Sequence, residues 1–65
     1  MTRALEVGQT RSDGVNTYVI VERRVSWNVC LLLEDAGATG SCAGQTHLWS
    51  DGACKHDELL GWVSP

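Results

Sequence analysis

The chain has 65 residues, of which 43% are hydrophobic and 20% are charged, and its net charge is −3 at pH 7. This composition is that of one small globular domain and excludes a disordered acidic tail. Only five residues are Lys or Arg, so tight nucleic-acid binding, which requires several phosphates to be neutralised, is not expected. A domain of this size buries only about 60% of the surface of its unfolded chain, so it needs a compact barrel, a metal, a disulfide or a partner subunit.

The cellular compartment is predicted from three features of the sequence. The N-terminal segment holds no apolar run of about seven residues or more, so no signal peptide is expected. The longest apolar run, residues 29–33, is far too short to span a bilayer. Three cysteines is an odd number, which argues against a secreted disulfide scaffold. We therefore expect a small acidic, cytoplasmic protein with reduced thiols and no membrane partner.

The first two predicted strands flank a turn at residues 12–14. The Asp-Gly pair in this turn supplies the positive φ values that a tight hairpin needs. Residues 5–11 and 15–22 should therefore pair antiparallel, with a bend or bulge at Gly8. Residues 17–21 are all β-branched or aromatic, which is typical of a central strand covered on two sides.

Residues 26–33 are predicted to form the third strand, with one buried face. The apolar odd positions in and around it are Val25, Trp27, Val29, Leu31 and Leu33. A period of two is typical of a strand with one face in the core. We therefore expect Trp27, Val29 and Leu31 to be buried. Their expected neighbours are Leu5, Tyr18 or Ile20, Leu48 and Leu60.

Two segments are predicted to be irregular. A turn is expected at Arg23 and Arg24, because two adjacent charges separate two apolar runs; the alternative is one long strand that bends there. Residues 36–45 are rich in glycine and other small residues, so they should form a loop. Long loops in compact domains are often functional.

The last third of the chain is predicted to contain two short strands, residues 46–49 and 59–63. A single 3₁₀ turn fits residues 53–55 between them. The alternative is a helix over residues 50–60 with Ser50 as its N-cap. Glycine inside that helix would cost about 1 kcal/mol relative to alanine, so we favour the two strands.

Together these elements predict an all-β fold for a single domain, residues 1–65: a five-stranded SH3-like barrel with one 3₁₀ turn before the last strand. The alternative is a β-sheet plus one C-terminal helix over residues 50–60. The segments that carry a resemblance are V-G-Q-T (7–10), Y-V-I-V-E (18–22), V-C-L-L-L-E-D (29–35), H-L-W-S (47–50) and D-E-L-L-G-W (57–62). With them the chain resembles small SH3-like barrel proteins of bacteriophages and other mobile elements, most of which have no assigned activity. The resemblance implies a phage protein with a binding role, although the Gly-rich loop and Cys54 depart from the pattern.

Cys42, His47, Cys54 and His56 are candidate zinc ligands, because two thiolates and two imidazoles can bind zinc tetrahedrally. Their spacing, C-x4-H-x6-C-x-H, contains neither the C-x2-C nor the H-x3-H pair of specific zinc signatures. The favoured alternative makes Cys30 and Cys54 small core residues and Cys42 a loop thiol, because free cysteine is among the most buried residue types. We therefore expect no metal and no cofactor.

No catalytic residue is predicted. Cys42 as a nucleophile would need an adjacent base such as His47 or His56, and nothing in the sequence fixes that geometry. We therefore expect that the protein is not an enzyme. The alternative functions are a minimal enzyme assembled by oligomerisation and a zinc-stabilised interaction domain.

Partner-binding residues are predicted in the C-terminal third of the chain: Trp49, Trp62, Asp51, Asp57 and Glu58. Aromatic residues at strand ends are enriched in binding surfaces, and carboxylates around them suit a basic, partly apolar partner. In an SH3-like barrel the last strand returns beside the first, which would gather these groups on one side. We therefore expect a protein-binding module that occupies a surface of a host protein, for example as an inhibitor of a host enzyme or defence system, or that self-associates into a homo-oligomer.

Overall fold

The computed structural model of the protein describes residues 4–35, 37, 40 and 42–63. Its elements, in chain order, are β1 (Gln9–Ser12), β2 (Thr17–Arg24), β3 (Trp27–Leu32), β4 (Thr46–Ser50), α1 (Asp51–Cys54) and β5 (Glu58–Trp62). Between β3 and β4, the described positions contain no strand or helix, as the predicted loop requires. Positions 36, 38, 39 and 41 of that loop lie outside the described residues.

All five strands pair antiparallel in one sheet, in the order β4-β3-β2-β1-β5. The first and last strands are therefore neighbours, as the SH3-like topology predicts. Strands β4 and β5 form the two edges, and no pairing between them closes the sheet into a barrel in the described part of the chain. The prediction of five antiparallel strands in a mostly β domain is confirmed, whereas closure into a barrel stays a prediction.

Strand β1 begins at Gln9 and not at Leu5, because Val7 and Gly8 form a turn. Gly8 has a φ of +96°, a conformation that residues other than glycine rarely adopt. A Cβ atom at this position would lie 3.0 Å from the Val63 carbonyl oxygen, so glycine lets the chain pass close to the end of β5. The predicted bend at Gly8 is confirmed, while Leu5 leaves the sheet and packs against the core.

The hairpin between β1 and β2 turns at the predicted Asp-Gly pair. Asp13 Oδ1 accepts hydrogen bonds from the backbone N–H groups of Val15 at 2.8 Å and Asn16 at 2.6 Å. Gly14 has a φ of +94°, as a turn of this kind needs. The hydrogen bond from the Asn16 backbone is the largest of the effects that lower the pKa of Asp13.

The hairpin between β2 and β3 turns at Val25 and Ser26, so the prediction of a turn at Arg23 and Arg24 is wrong. Strand β2 continues through both arginines, and Arg24 pairs with Trp27. Ser26, the second central residue of the turn, adopts a φ of +65°, as a type II turn requires at that position. The adjacent charges are compatible with a strand here because this end of β2 is exposed to solvent.

The two faces of the sheet differ in what lies over them. The side of the sheet on which Tyr18 lies is called the covered face. Its buried residues are Gln9, Arg11, Tyr18, Ile20, Asn28, Cys30 and Leu32. The opposite side, the open face, has at its centre Val19, Trp27, Val29, Leu31 and Leu48. Helix α1 contributes Cys54 to the core on the covered face, and Leu5 packs against the same cluster.

The prediction that the odd-numbered residues of β3 form the core is wrong. The even-numbered Asn28, Cys30 and Leu32 are buried, whereas Trp27 is 46% exposed. Val29 and Leu31 are half-buried on the open face, and Leu48 and Leu60 are also about half exposed. The alternation is present. However, a chain of this length has only one short layer to pack against the sheet, namely α1 and the segment around Leu5, and this layer covers the face that carries the even-numbered residues of β3.

One helical turn, α1, leads from β4 to β5. Ser50 is its N-cap, and the Ser50 hydroxyl accepts the backbone N–H of Ala53 at 3.2 Å. One helical turn precedes the last strand, as predicted, but it is α-helical and spans Asp51–Cys54, so the predicted 3₁₀ turn over residues 53–55 is wrong in type and in bounds. The alternative helix over residues 50–60 is wrong because β5 begins at Glu58. No helix in the described segments has the length and apolar character needed to cross a membrane.

Ile20 tests the assignment of the covered face as the core. Ile20→Ala should lower the free energy of unfolding by about 2–5 kcal/mol, because Ile20 is fully buried and its truncation leaves a cavity. Val25→Ala is the control: Val25 is 93% exposed at the tip of a hairpin, so its truncation should change the free energy by less than about 0.5 kcal/mol. Urea denaturation followed by far-UV circular dichroism measures both, and equal losses would contradict the assignment.

Candidate partner-binding surface

The five residues predicted to bind a partner fall into two groups by their contacts. Trp49, Asp51 and Asp57 are partly buried and take part in contacts that hold the fold together. Glu58 and Trp62 are exposed on β5, at one edge of the sheet. Glu58 and Trp62 are therefore the more accessible of the five residues, and partner binding by all five stays a prediction.

Trp49 lies at the edge of the core on the covered face. Its ring meets Tyr18 edge-on, with ring centroids 5.0 Å apart and an interplanar angle of 73°. On the other side His47 stacks against it, with centroids 5.2 Å apart and an angle of 13°. Aromatic pairs of this kind add about 0.5–1.5 kcal/mol beyond their buried area. Trp49 therefore stabilises the core, and a role for it in partner binding stays a prediction.

The segment between α1 and β5 is held by buried polar contacts. The Tyr18 hydroxyl donates a hydrogen bond to the Asp57 carboxylate. Arg11 is only 1% exposed; its Nη1 donates to the Asp57 carbonyl oxygen at 2.9 Å, and its Nε donates to Gln9 Oε1 at 2.9 Å. Such partners are needed because burying an unpaired charge is costly. Sequence reasoning missed this network, because polar residues in a short first strand indicate an exposed edge.

Asp51 joins α1 to the hairpin between β2 and β3. Its Oδ1 accepts a hydrogen bond from Asn28 Nδ2 at 2.9 Å, and its backbone N–H donates to the Ser26 carbonyl oxygen at 3.0 Å. Its Oδ2 lies 3.4 Å from Arg23 Nη2 in an ion pair that is about one-third exposed, and such pairs contribute at most about 1 kcal/mol. Asp51 therefore positions the start of α1.

Strand β5 carries three exposed side chains, Glu58, Leu60 and Trp62. Leu60 and Trp62 are 51% and 48% exposed, which is high for such large apolar side chains. The pairing with β1 shifts register between Thr10 and Arg11, opposite Leu60. A bulge of this kind redirects a side chain and often occurs at a sheet edge. The outer strand thus combines an aromatic group, an aliphatic group and a carboxylate.

The four zinc candidates lie in different environments. Cys42 is exposed in the loop before β4, Cys54 is fully buried, His47 stacks on Trp49, and His56 is exposed after α1. Among the described residues, no group of three or more His, Cys, Asp or Glu side chains is placed to hold a metal ion. The zinc hypothesis therefore has no support from the geometry.

Burial sets the ionisation of the core side chains. Cys30 and Cys54 are both fully buried, which confirms their interpretation as small core residues. Burial, and after it the neighbouring Cys54, raises the pKa of Cys30 to about 12. Burial, and after it the hydrogen bond to Asp57, raises the pKa of Tyr18 above its ordinary value. Neither Cys30 nor Tyr18 is therefore an ionised nucleophile at neutral pH.

A groove of about 340 Å³ opens beside the central strands. It is lined by Val7, Gly8, Val19, Ile20, Val21, Leu31 and Val63. None of these side chains is an acid, a base, a nucleophile or a metal ligand, so the groove fits an apolar group and offers no catalytic chemistry. The sequence did contain the signal for this surface, because Leu31 and its odd-numbered neighbours are apolar, but that pattern is equally typical of a core.

The chain matches no protein-family model, no curated protein and no solved structure. The resemblance to phage SH3-like proteins therefore stays a prediction.

Cysteine accessibility should separate the three thiols. Cys42 is exposed, whereas Cys30 and Cys54 are fully buried, and only an accessible thiol that can ionise reacts. An aromatic disulfide reagent at mildly alkaline pH should therefore modify one thiol per chain in the native protein and all three in denaturant. A Cys42→Ser variant should show no fast-reacting thiol. Rapid modification of two or more thiols in the native parent would contradict the burial described here.

The raised pKa of Cys30 predicts a loss of stability at alkaline pH. The pKa rises from 9.0 to about 12 on folding, so between these values the unfolded chain binds fewer protons than the folded one. The free energy of unfolding should therefore fall as pH rises above about 9, by up to about 1.4 kcal/mol per pH unit from this thiol. Urea denaturation at several pH values should show a shallower fall for Cys30→Ala. Equal slopes for parent and variant would exclude this cause.

Proposed function

We propose that this chain is a small SH3-like protein-binding module that acts by occupying a surface of a partner protein. The observation that carries the proposal is the outer strand β5, a sheet edge on which Glu58, Leu60 and Trp62 are exposed, with Glu58 beside Ser12 on one face and Trp62 beside Gln9 on the other. Covering the exposed half of a tryptophan ring removes a large apolar area from water, and tryptophan is one of the residues enriched among binding hot spots.

The start of β5 is rigidly held, which favours binding. Asp57 precedes the strand and is bonded through its carboxylate to Tyr18 and through its carbonyl oxygen to Arg11. Both of these partners are buried. A side chain presented from a fixed backbone loses less conformational entropy on binding than one in a mobile loop.

The strand topology supports the SH3-like part of the proposal. The order β4-β3-β2-β1-β5 places the last strand beside the first, and one helical turn precedes that last strand. Both features were expected from the resemblance to phage SH3-like barrel proteins. In a closed barrel, β4 would approach β5 and extend the surface around Trp62.

Charge indicates the chemistry of the partner. The chain carries a net charge of −3. Glu58 is exposed at the start of β5, directly after Asp57 and before Leu60 and Trp62. A partner surface that combines basic residues with an apolar recess would complement this strand. If the chain is phage-borne, as its resemblance implies, the partner is a cytoplasmic host protein, and occupying its surface would inhibit a host enzyme or a defence system.

The experiment begins with tagged protein and a lysate of candidate host cells. A protein retained by the parent should be purified and titrated against Trp62→Ala, which should weaken the affinity by about tenfold or more, because it removes the proposed anchor. Thermal unfolding should show that the variant still folds cooperatively, with a moderate loss of stability because about half of the Trp62 side chain is buried.

Charge reversal provides a matched control. Glu58→Lys should weaken the complex and reduce its sensitivity to salt, whereas Glu34→Lys makes the same charge change at an exposed residue after β3 and should have little effect. Folded variants that hold the partner as tightly as the parent would exclude β5 as the contact. Tight binding to DNA or RNA at physiological salt would contradict a protein-binding module altogether.

A further inference from the structure

The open face of the sheet is apolar along its centre, and of the contact proposed for β5 it shares only Glu58, at its margin. Opposed pairs in register place Val19 beside Leu31 and Val29 beside Leu48. Trp27 continues the row at the end of β3, and Val7, Val21 and Val63 border it, each about half exposed. In antiparallel sheets a solvated face is normally polar at alternate positions. This face instead has the composition of a buried one.

The charges around the apolar row of the open face balance. Glu22 and Arg24 lie on this side of β2, and their side chains form an ion pair of 2.8 Å. Thr46 and Ser50 on β4 and Thr10 on β1 are small and neutral, and the carboxylate of Glu58 lies on β5 at the far margin of the face. The surroundings of the apolar row are therefore close to neutral although the whole chain has a net charge of −3. A neutral patch can meet an identical patch without repulsion, whereas a basic partner would find no excess of negative charge to attract it.

The shape of the open face is also suited to an identical partner. Leu48 and Trp27, on β4 and β3, are 50% and 46% exposed and rise from one half of the face. The groove of about 340 Å³ lies in the other half, beside β2 and the segment before β1. A two-fold axis near Leu31 would place the protruding side chains of each copy over the groove of the other. Isologous contacts have this reciprocal form.

The available area is sufficient for a stable dimer. A standard interface removes about 800 Å² from each partner, which is about a fifth of the 4149 Å² surface of this chain. The molecule measures 30 × 22 × 22 Å, so one full side presents an area of this order. Covering it would also supply the second apolar layer that so small a domain lacks.

From these observations we propose that two copies of the chain pack open face against open face, as a symmetric dimer with the apolar row of β3 at its centre. Each copy inserts Leu48 and Trp27 toward the groove of the other, and the β5 edges remain outside the contact. The dimer is independent of the function proposed for β5.

Analytical ultracentrifugation over the micromolar to millimolar range tests the dimer directly. The parent should sediment as a species with twice the chain mass of 7.1 kDa, in a concentration-dependent equilibrium. Leu48→Lys should weaken the dimer by about tenfold or more, because it places a charge in the apolar contact. Trp27→Ser is a second variant with the same expected direction. Val25→Lys is the matched control, since Val25 is exposed at a hairpin tip outside the face, and should leave the equilibrium unchanged.

Salt separates this contact from the one on β5. Added salt should leave the dimer unchanged or strengthen it, because it screens the repulsion between two acidic chains, whereas it should weaken a charge-assisted contact at Glu58. A parent that is monomeric at all concentrations would overturn the dimer, and so would a dimer that folded Leu48→Lys and Trp27→Ser variants retain at parental strength. Loss of the dimer in Trp62→Ala but not in Leu48→Lys would move self-association to β5 and would also overturn it.

Discussion

The contacts of one side chain, Tyr18, hold the covered face together. Its ring packs edge-on against Trp49, and its hydroxyl donates to the Asp57 carboxylate. Tyr18 thus links a central strand to β4 on one side and to the start of β5 on the other, although these two strands are the opposite edges of the sheet. Few of the apolar residues that the structure describes are fully buried, so a single aromatic side chain with two kinds of contact contributes a large share of the tertiary contacts.

Features set by neighbouring residues could be predicted from the sequence, and features set by distant contacts could not. The Asp-Gly turn, the bend at Gly8 and the cap at Ser50 depend on local backbone chemistry and are observed. The choice of the buried side of β3 depends on where α1 packs, some twenty residues later, so the alternation alone cannot give it. Turns without glycine or proline are similarly hard to locate, and the turn at Ser26 uses a positive φ that serine seldom adopts.

The candidate site shows the same division. Residue type correctly indicates which side chains can make strong contacts, but not whether the contact lies inside or outside the domain. Trp49 and Asp57 have the chemistry of a binding surface, and the fold uses both internally. Arg11 and Gln9 have the chemistry of a surface, and the fold buries both. In a domain this small, hydrogen-bonded polar networks replace part of the hydrophobic core. The polarity of a residue therefore predicts its exposure less well than in a larger domain.

The close approach at Gly8 has a consequence for how the domain folds. The Gly8 carbonyl oxygen accepts a hydrogen bond from the Val63 N–H at 2.7 Å, and the Gly8 N–H donates one to the Ile20 carbonyl oxygen at 2.8 Å. Gly8 therefore connects the residue that follows β5 to the central strand β2. Strands β2, β3 and β4 follow one another in the chain, and each pairs with the next. The pairing of β1 with β5, which we call the seam, instead joins the first strand to the last and closes the longest loop in the chain. Loop-closure entropy therefore makes this seam the pairing with the largest entropic cost in the sheet. The strand that carries Trp62 thus owes its place in the sheet to the least local contact of the fold.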